Sequence, residues 1–233
     1  MNRQNIIIII PAFNEEQSIA HVLGNLPRHM YTHIIVVDNG STDNTAKIAA
    51  EMGAIVVYEP QLGYGQACLT GIKTASNLEP DIIVFLDGDY SDFPEQIDEV
   101  LQPILHENAE LVIGSRTKGK SEKGALLPQA RFGNWLASWL IKILWNYCYT
   151  DLGPFRAITW EGLSRLKMED TNFGWTVEMQ IKALMAGLRV VEVPVNYRKR
   201  IGDSKVTGTF SGSVRAGYKI LWTIFKYGFL RKF

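Results

Sequence analysis

Five consecutive isoleucines, Ile6–Ile10, closed by Pro11, constrain the fold more than any other stretch of the chain. A β-branched run with no polar alternation must be covered on both faces, as in a central strand of a parallel sheet. Four more short apolar runs follow it, at Ile34–Val37, Ala54–Tyr58, Ile82–Leu86 and Leu111–Ile113. Helical patterns fill the gaps. Ile19, Val22, Leu23 and Leu26 recur at i, i+3, i+4 and i+7 before Pro27 stops the helix. A second helix ends at Gly53, a third runs from Gly63-Tyr64-Gly65 to about Thr74, and Pro94 begins a fourth with Ile97, Val100, Leu101 and Ile104 on one face. Strands alternating with helices predict an α/β fold, a mostly parallel sheet flanked by helices with right-handed crossovers.

Beyond residue 116 the pattern changes. Thr117 to Pro128 reads as a polar loop, and Ala130 to Tyr149 as a long helix carrying Trp135, Trp139 and Trp145. The stretch from Thr150 to Ile158 holds Asp151, Gly153, Pro154 and Arg156 and reads as a constrained turn. Helices are expected over Glu161–Leu166 and Trp175–Ala186. Val190–Val195 reads as an edge strand because Pro194 interrupts it. A Gly/Ser/Lys-rich loop spans Arg198 to Thr209, and a last amphipathic helix spans Val214 to Phe229.

Composition narrows the function classes. The chain has 233 residues, 46% hydrophobic, enough for one sizeable core. Its 24 Lys and Arg balance its 24 Asp and Glu, so no global basic field suggests nucleic acid. The balance is uneven, with an acid-rich segment from Glu79 to Glu110 and a basic one from Arg189 onward, which suits an anionic ligand or surface near that end. Two cysteines without a partner motif give no support for a disulfide or zinc site, and reduced cytosolic thiols are the expectation. The isoleucine run lacks the features of a signal peptide. The longest apolar stretch, Phe132 to Tyr149, carries Lys142 and Asn146, so a membrane span is not expected.

Polar clusters stand at the ends of the expected strands: Asn14-Glu15-Glu16, Asp38 to Asp43, Asp87-Gly88-Asp89 and Arg116. Parallel strands bring such ends to one edge of the sheet, where α/β proteins bind ligands. Asn14 is a candidate helix N-cap, and the two glutamates suit a first helical turn. Asp-x-Asp alone is a turn tripeptide. At a strand end, with Gly88 allowing both acids to face one point, it offers hard oxygen ligands for Mg²⁺ or Mn²⁺ on a diphosphate. A dinucleotide-binding G-x-G-x-x-G after the first strand and a Walker A loop are both absent from the sequence.

Together, Pro11-Ala12-Phe13-Asn14-Glu15-Glu16, Val36-Val37-Asp38-Asn39-Gly40-Ser41-Thr42-Asp43, Gly63–Ala67 and Asp87-Gly88-Asp89 resemble family 2 glycosyltransferases with the GT-A fold, a Rossmann-like nucleotide-binding fold. Ile113-Gly114-Ser115-Arg116, Arg131-Phe132-Gly133-Asn134, Thr150-Asp151 through Phe155-Arg156, and Arg200 to Lys205 resemble the branch that glycosylates dolichyl or polyprenyl phosphates. The resemblance runs from Ile6 to about Thr209. It implies a GT-A domain over residues 1–210, with a donor-binding half (1–115) and an acceptor-side half (116–210), followed by an amphipathic helix over 211–233. It implies that Pro11, Phe13, Glu15 and Asp38 contact base and ribose, that Asp87 and Asp89 hold Mg²⁺ or Mn²⁺ on the diphosphate, and that Asp89 and Asp151 serve catalysis. Arg116 and Arg131 would grip acceptor phosphate, and Arg200 and Lys205 would close over the phosphates.

The sequence departs from the family at Phe13, where Tyr is common, at Asn39 in place of a second Asp, around Asp151, and at Asn134-Trp135 after Arg131. The implied activity is inverting, metal-dependent transfer of a hexose from a UDP- or GDP-sugar to a polyprenyl phosphate, in the cytoplasm or peripherally on the cytoplasmic membrane face. Alternatives are a soluble phosphorylated or glycan acceptor, and a non-catalytic nucleotide-sugar binder. For a hydroxyl acceptor the candidate base is Asp151, ahead of Glu178. Arg156 is open between pairing with Asp151 and binding ligand. The Trp-rich and last helices are open between core packing and contact with a bilayer surface.

Overall fold

A computed structural model describes residues 4–202 and 210–230. One seven-stranded sheet organises them, with β1 (Ile6–Ala12), β2 (His33–Asp38), β3 (Ile55–Tyr58), β4 (Ile82–Phe85), β5 (Leu111–Ser115), β6 (Arg156–Thr159) and β7 (Val190–Pro194) in the order β3-β2-β1-β4-β6-β5-β7. β1 pairs in parallel with β2 and β4, β2 with β3, and β5 with β7. Only β6 is antiparallel, to both β4 and β5. The carboxyl ends of the other six strands therefore share one edge.

The isoleucine run is buried on both faces, as its composition demands. Ile7 and Ile9 join one apolar cluster, and Ile6, Ile8 and Ile10 the other. The second cluster takes in α1 (Ile19–Asn25), α2 (Thr45–Glu51) and α4 (Ile97–Glu107). The first takes in α3 (Tyr64–Ala75), α5 (Pro128–Trp145), α6 (Trp160–Leu166), α7 (Trp175–Met185) and α8 (Phe210–Leu230). The sheet is thus sandwiched between two helical layers, an α/β architecture.

The expected turn at Thr150–Ile158 is corrected. Residues 156–159 form β6, inserted between β4 and β5 with Phe85 and Ile113 both opposite Arg156. A four-residue strand opening on an arginine has no periodicity of its own, and its long-range partners create it. β7 lies at the sheet edge with Pro194 as its last residue.

Candidate active site

The ends of β1 and β2 are stitched together by Asn14. Its backbone adopts the left-handed conformation (φ 53°), which Asn tolerates better than most residues. Its amide N–H donates to Ser41 Oγ at 2.9 Å, and its Oδ1 accepts from Thr42 N–H at 2.8 Å. The expected N-cap role is therefore not taken, and α1 starts five residues later with Ser18 at its N-cap. Asp38 is buried and accepts from Ser41 N–H at 3.0 Å. Asn39 donates to the Glu59 and Gln61 carbonyls at 3.0 and 2.8 Å and accepts from Gly63 N–H at 2.8 Å. An aspartate could make only the last of these contacts, so the departure from the family pattern at this position fixes the 59–63 loop.

A cleft of roughly 310 Å³ opens along this edge. Pro11, Phe13, Glu15, Asp87, Asp89 and Arg200 all line it, so the structure brings together most of the expected donor-side residues; Asp38 lies at the neighbouring strand end, outside the lining. Tyr64, Asn172 and Phe173 line it too and were not expected. Their loop reaches the cleft because Gly63 and Gly65 let it: a Cβ on either would collide with the Thr171 or Asp170 carbonyl oxygen. Gln66 N–H donates to Thr171 O at 2.8 Å across that close approach. A Gly-x-Gly without a nucleotide motif was the available signal for such a contact.

Asp87 and Asp89 differ in their surroundings. Tyr64 Oη donates to Asp87 Oδ1 at 3.0 Å. Burial, and then the charge of Asp89, push the Asp87 carboxyl up to about 7. Asp89 Oδ1 accepts from Ser91 N–H and Oγ at 2.9 and 2.6 Å, and its Oδ2 lies 3.3 Å from Arg200 Nη1. Arg200 also donates to Glu15 Oε1 at 3.0 Å, so one guanidinium bridges two acids. Gly88 and Asp89 form the expected turn, and the left-handed residue, Tyr90 (φ 61°), follows it.

The donor set fits a hard divalent cation, because two adjacent carboxylates, one of them raised to about 7 by burial and then by its neighbour's charge, gain most from a shared positive charge. Among the described residues no group of three His, Cys, Asp or Glu side chains converges for a metal, so diphosphate and water would complete the shell. Asp92, three residues on, is buried, and among the described residues neither carboxyl oxygen has a hydrogen-bond partner. Burial and the charges of Asp87 and Asp89 raise its pKa well above the ordinary value, favouring the neutral acid.

On the other side of the sheet edge, Arg116 and Asp151 meet each other. Arg116 Nε and Nη2 donate to Asp151 Oδ2 and Oδ1 at 2.8 and 2.7 Å, and Arg116 N–H donates to Oδ2 at 2.8 Å. Leu152 N–H adds a fourth contact at 2.8 Å. Burial works against the guanidinium charge, but the Asp151 charge and hydrogen bonds outweigh it and hold Arg116 protonated. Asn134 on α5 fastens the same segment, accepting from Leu152 N–H at 2.8 Å and donating to Thr150 O at 3.1 Å.

Arg131 stands exposed in the first turn of α5. Arg156 is fully buried and does not pair with Asp151; it donates to the carbonyls of Thr176 at 3.0 Å and of Gly153. Glu178 is buried rather than exposed and accepts from the Asp170 N–H, Tyr227 Oη and Lys182 Nζ, which occupies it structurally. Lys205 lies outside the described residues.

The family model for glycosyl transferase family 2 matches residues 7–160. The UDP-N-acetylglucosamine–dolichyl-phosphate N-acetylglucosaminyltransferase of Methanococcus voltae is 33% identical over 242 aligned residues, covering 94% of each chain. The undecaprenyl-phosphate mannosyltransferase of Micrococcus luteus is 28% identical and covers 89% of each chain. Glucosyl-3-phosphoglycerate synthase from Mycobacterium tuberculosis, solved with Mn²⁺, UDP and glucosyl-3-phosphoglycerate, superposes with a TM-score of 0.75 at 23% identity, over 96% of this chain and 79% of that one. The strand-end carboxylates Glu15, Asp87 and Asp89 thus lie within the matched segment on a GT-A scaffold, and the chain belongs to glycosyl transferase family 2.

Proposed function

We propose that the protein transfers a hexose, with inversion, from a UDP- or GDP-sugar to a polyprenyl phosphate at a membrane surface, with Mg²⁺ or Mn²⁺ held by Asp87 and Asp89. The observation that carries the donor half is the paired carboxylates lining a cleft with the Arg200 guanidinium across them. Pro11, Phe13, Glu15 and Asp38 belong to the base and ribose side. Relatives named as acting on dolichyl and undecaprenyl phosphates support the lipid acceptor.

The locked state of Asp151 favours an acceptor that is already an anion. Both its oxygens are engaged by Arg116 and Leu152 N–H, so it is poorly placed to take a proton from a hydroxyl. A phosphate oxygen needs no such help near pH 7. It would attack the anomeric carbon as the glycosidic bond to the nucleoside diphosphate breaks, and single displacement inverts that carbon. The cation, when bound, offsets the charge growing on the leaving diphosphate. Arg200 can exchange its two carboxylates for diphosphate oxygens, and Lys205 would join it. Arg131, exposed on α5, would meet acceptor phosphate, while Arg116, with Nε and Nη2 engaged by Asp151, would offer it only the remaining guanidinium N–H groups.

α5 and α8 support contact with a bilayer. Phe132, Trp135, Trp139 and Ile143 are exposed along one side of α5, and Tyr218, Trp222, Phe225 and Phe229 along one side of α8. Neither helix contains an acidic residue, while Arg131, Lys142 and Arg215 are exposed on them. Aromatic and cationic groups without acids suit an anionic lipid interface. Among the described residues no helix is long and apolar enough to cross a membrane.

The test is transfer of labelled sugar from UDP- and GDP-hexoses with Mn²⁺ into vesicles carrying polyprenyl phosphate. Label in the lipid phase is the expected result. Label confined to soluble products, or no turnover of any nucleotide sugar, would overturn the reading.

A further inference from the structure

α8 has two working sides. One carries the exposed aromatic residues described above. The other grips the loop of residues 169–174, whose Asn172 and Phe173 wall the donor cleft. Lys219 Nζ lies 2.9 Å from Asp170 Oδ2, and Lys226 Nζ lies 3.4 Å from Glu169 Oε2. Tyr227 Oη donates to Glu178 Oε1 at 2.7 Å. Glu178 in turn accepts from Asp170 N–H at 2.8 Å and from Glu169 N–H at 3.2 Å. Asp170 Oδ1 accepts from Asn172 N–H at 2.8 Å and Gly174 N–H at 3.2 Å. Thr223 is buried against Gly174, where a Cβ would crowd its hydroxyl.

These contacts form one chain of charge-assisted hydrogen bonds from α8 to the cleft. Asp170 and Glu178 are both shielded from water, with side-chain exposures of 7% and 1%, so the Lys182–Glu178 pair is little screened and the pair with the half-exposed Lys219 only partly so. The loop itself has few alternatives. Its far side is held by close backbone approach to α3, where Gln66 N–H donates to Thr171 O. Four supports, Lys219, Thr223, Lys226 and Tyr227, therefore come from a helix that lies 36 residues and more beyond the loop in sequence and, among the described residues, lines no part of the cleft.

We propose that α8 is a positioning element of the donor site: Lys219 and Tyr227, acting through Asp170 and Glu178, set the loop that places Asn172 and Phe173 against the bound nucleotide. This deepens the donor-cleft reading and rests on it only for the nucleotide-binding half of its test. Lys219 and Tyr227 touch no substrate in this scheme. Their loss should weaken donor binding and leave acceptor binding alone.

The experiment compares Lys219→Met, Tyr227→Phe and the conservative Lys219→Arg with the unaltered full chain. Amide hydrogen exchange is measured without ligand, and binding of UDP and GDP with Mn²⁺ is measured by calorimetry. Lys219→Met should speed exchange at residues 169–174 and at Gln66 by about tenfold, with the β1 and β4 amides unchanged, and raise the nucleotide Kd by about tenfold. Lys219→Arg should restore most of both. Unchanged exchange in the loop would overturn the proposal, as would faster exchange with an unchanged nucleotide Kd, or acceleration spread evenly over the sheet. The exchange measurement needs no nucleotide, so it judges the brace even if neither UDP nor GDP binds and the donor reading fails.

Discussion

Arg116 and Asp151 form a two-point guanidinium–carboxylate contact, 2.8 and 2.7 Å long, between the end of β5 and the segment leading into β6. Asp151 is 1% exposed and Arg116 15%. Removing one partner of so buried a pair leaves the other charged and desolvated, which costs about 3–5 kcal/mol. Arg116→Ala should therefore lower the unfolding free energy by about that much in a denaturant titration. Arg116→Lys, which keeps the charge but loses the fork, should fall between. An unchanged midpoint in Arg116→Ala would mean the pair does not form in solution. Loss of activity in this variant would not by itself assign Arg116 to the acceptor.

Asp89 offers a cleaner test of the cation site. Its Oδ1 accepts from Ser91 N–H and Oγ, and an asparagine oxygen can accept the same two bonds. Its Oδ2 faces Arg200, which would simply lose one of two acidic partners. Asp89→Asn should keep the fold, with a melting temperature within a few degrees of the parent, and reduce transfer by at least about a hundredfold, judged by the scale of losing one transition-state charge contact. Full activity with Mn²⁺ present would remove Asp89 from the metal site.

The pH dependence follows from Asp87. Its carboxyl is raised to about 7 by burial and by the charge of Asp89. The unfolded chain releases this proton near pH 4, before the folded protein does. Without cation, this group's effect is therefore to lower stability as pH rises from about 4 through about 7, with the penalty complete above that window. Cation binding has the opposite sign, since the ion must displace the proton. Mn²⁺ affinity should rise steeply between pH 6 and pH 8, on the order of tenfold per unit below about 7, and flatten above it. Asp87→Asn should remove this group's share of the stability slope, leaving that of Asp92, and should weaken Mn²⁺ binding across the whole range. A flat Mn²⁺ affinity across that range in the parent protein would contradict the raised carboxyl.

What the sequence made legible follows the range of the interactions concerned. The strands β1 to β5 and the helices between them rest on local pattern, with uninterrupted burial in β1, β4 and β5, and Ile6–Ile10 alone announces a central strand. The convergence of Glu15, Asp87 and Asp89 on one cleft follows from parallel strands, before any side-chain contact is considered. β6 was illegible because Arg156–Thr159 owes its extended form to partners some 45 to 75 residues earlier in the chain. Asn14 misled because Asn serves both helix caps and left-handed turns, and only its long-range bond to Thr42 separates the two. Arg156 and Glu178 looked like site charges because composition cannot reveal which buried ions satisfy carbonyls or hold loops. Asn172 and Phe173 reach the cleft through a backbone contact with Gly63 and Gly65, a relationship between distant segments that neither segment encodes alone.

The aromatic face of α5 allows the lipid acceptor to be tested apart from chemistry. Trp135 and Trp139 are 58% and 48% exposed, and their rings stack with centroids 6.4 Å apart. Trp145, a turn and a half further on, is buried in the core, so the helix divides its tryptophans between the two roles that the sequence left open. Because the exposed pair adds little to the core, Trp135→Ala with Trp139→Ala should change stability by no more than about 0.5 kcal/mol per site. Each ring buried in an interface contributes substantially to partition, so the double variant should lose most of its co-flotation with anionic vesicles. Turnover on vesicle-borne polyprenyl phosphate should fall in step, while nucleotide binding in free solution stays at the parent value. Flotation of the parent only with uncharged vesicles would remove the electrostatic part of the argument. Equal flotation of parent and variant would place the membrane contact, and the route to a lipid acceptor, on another face of the protein.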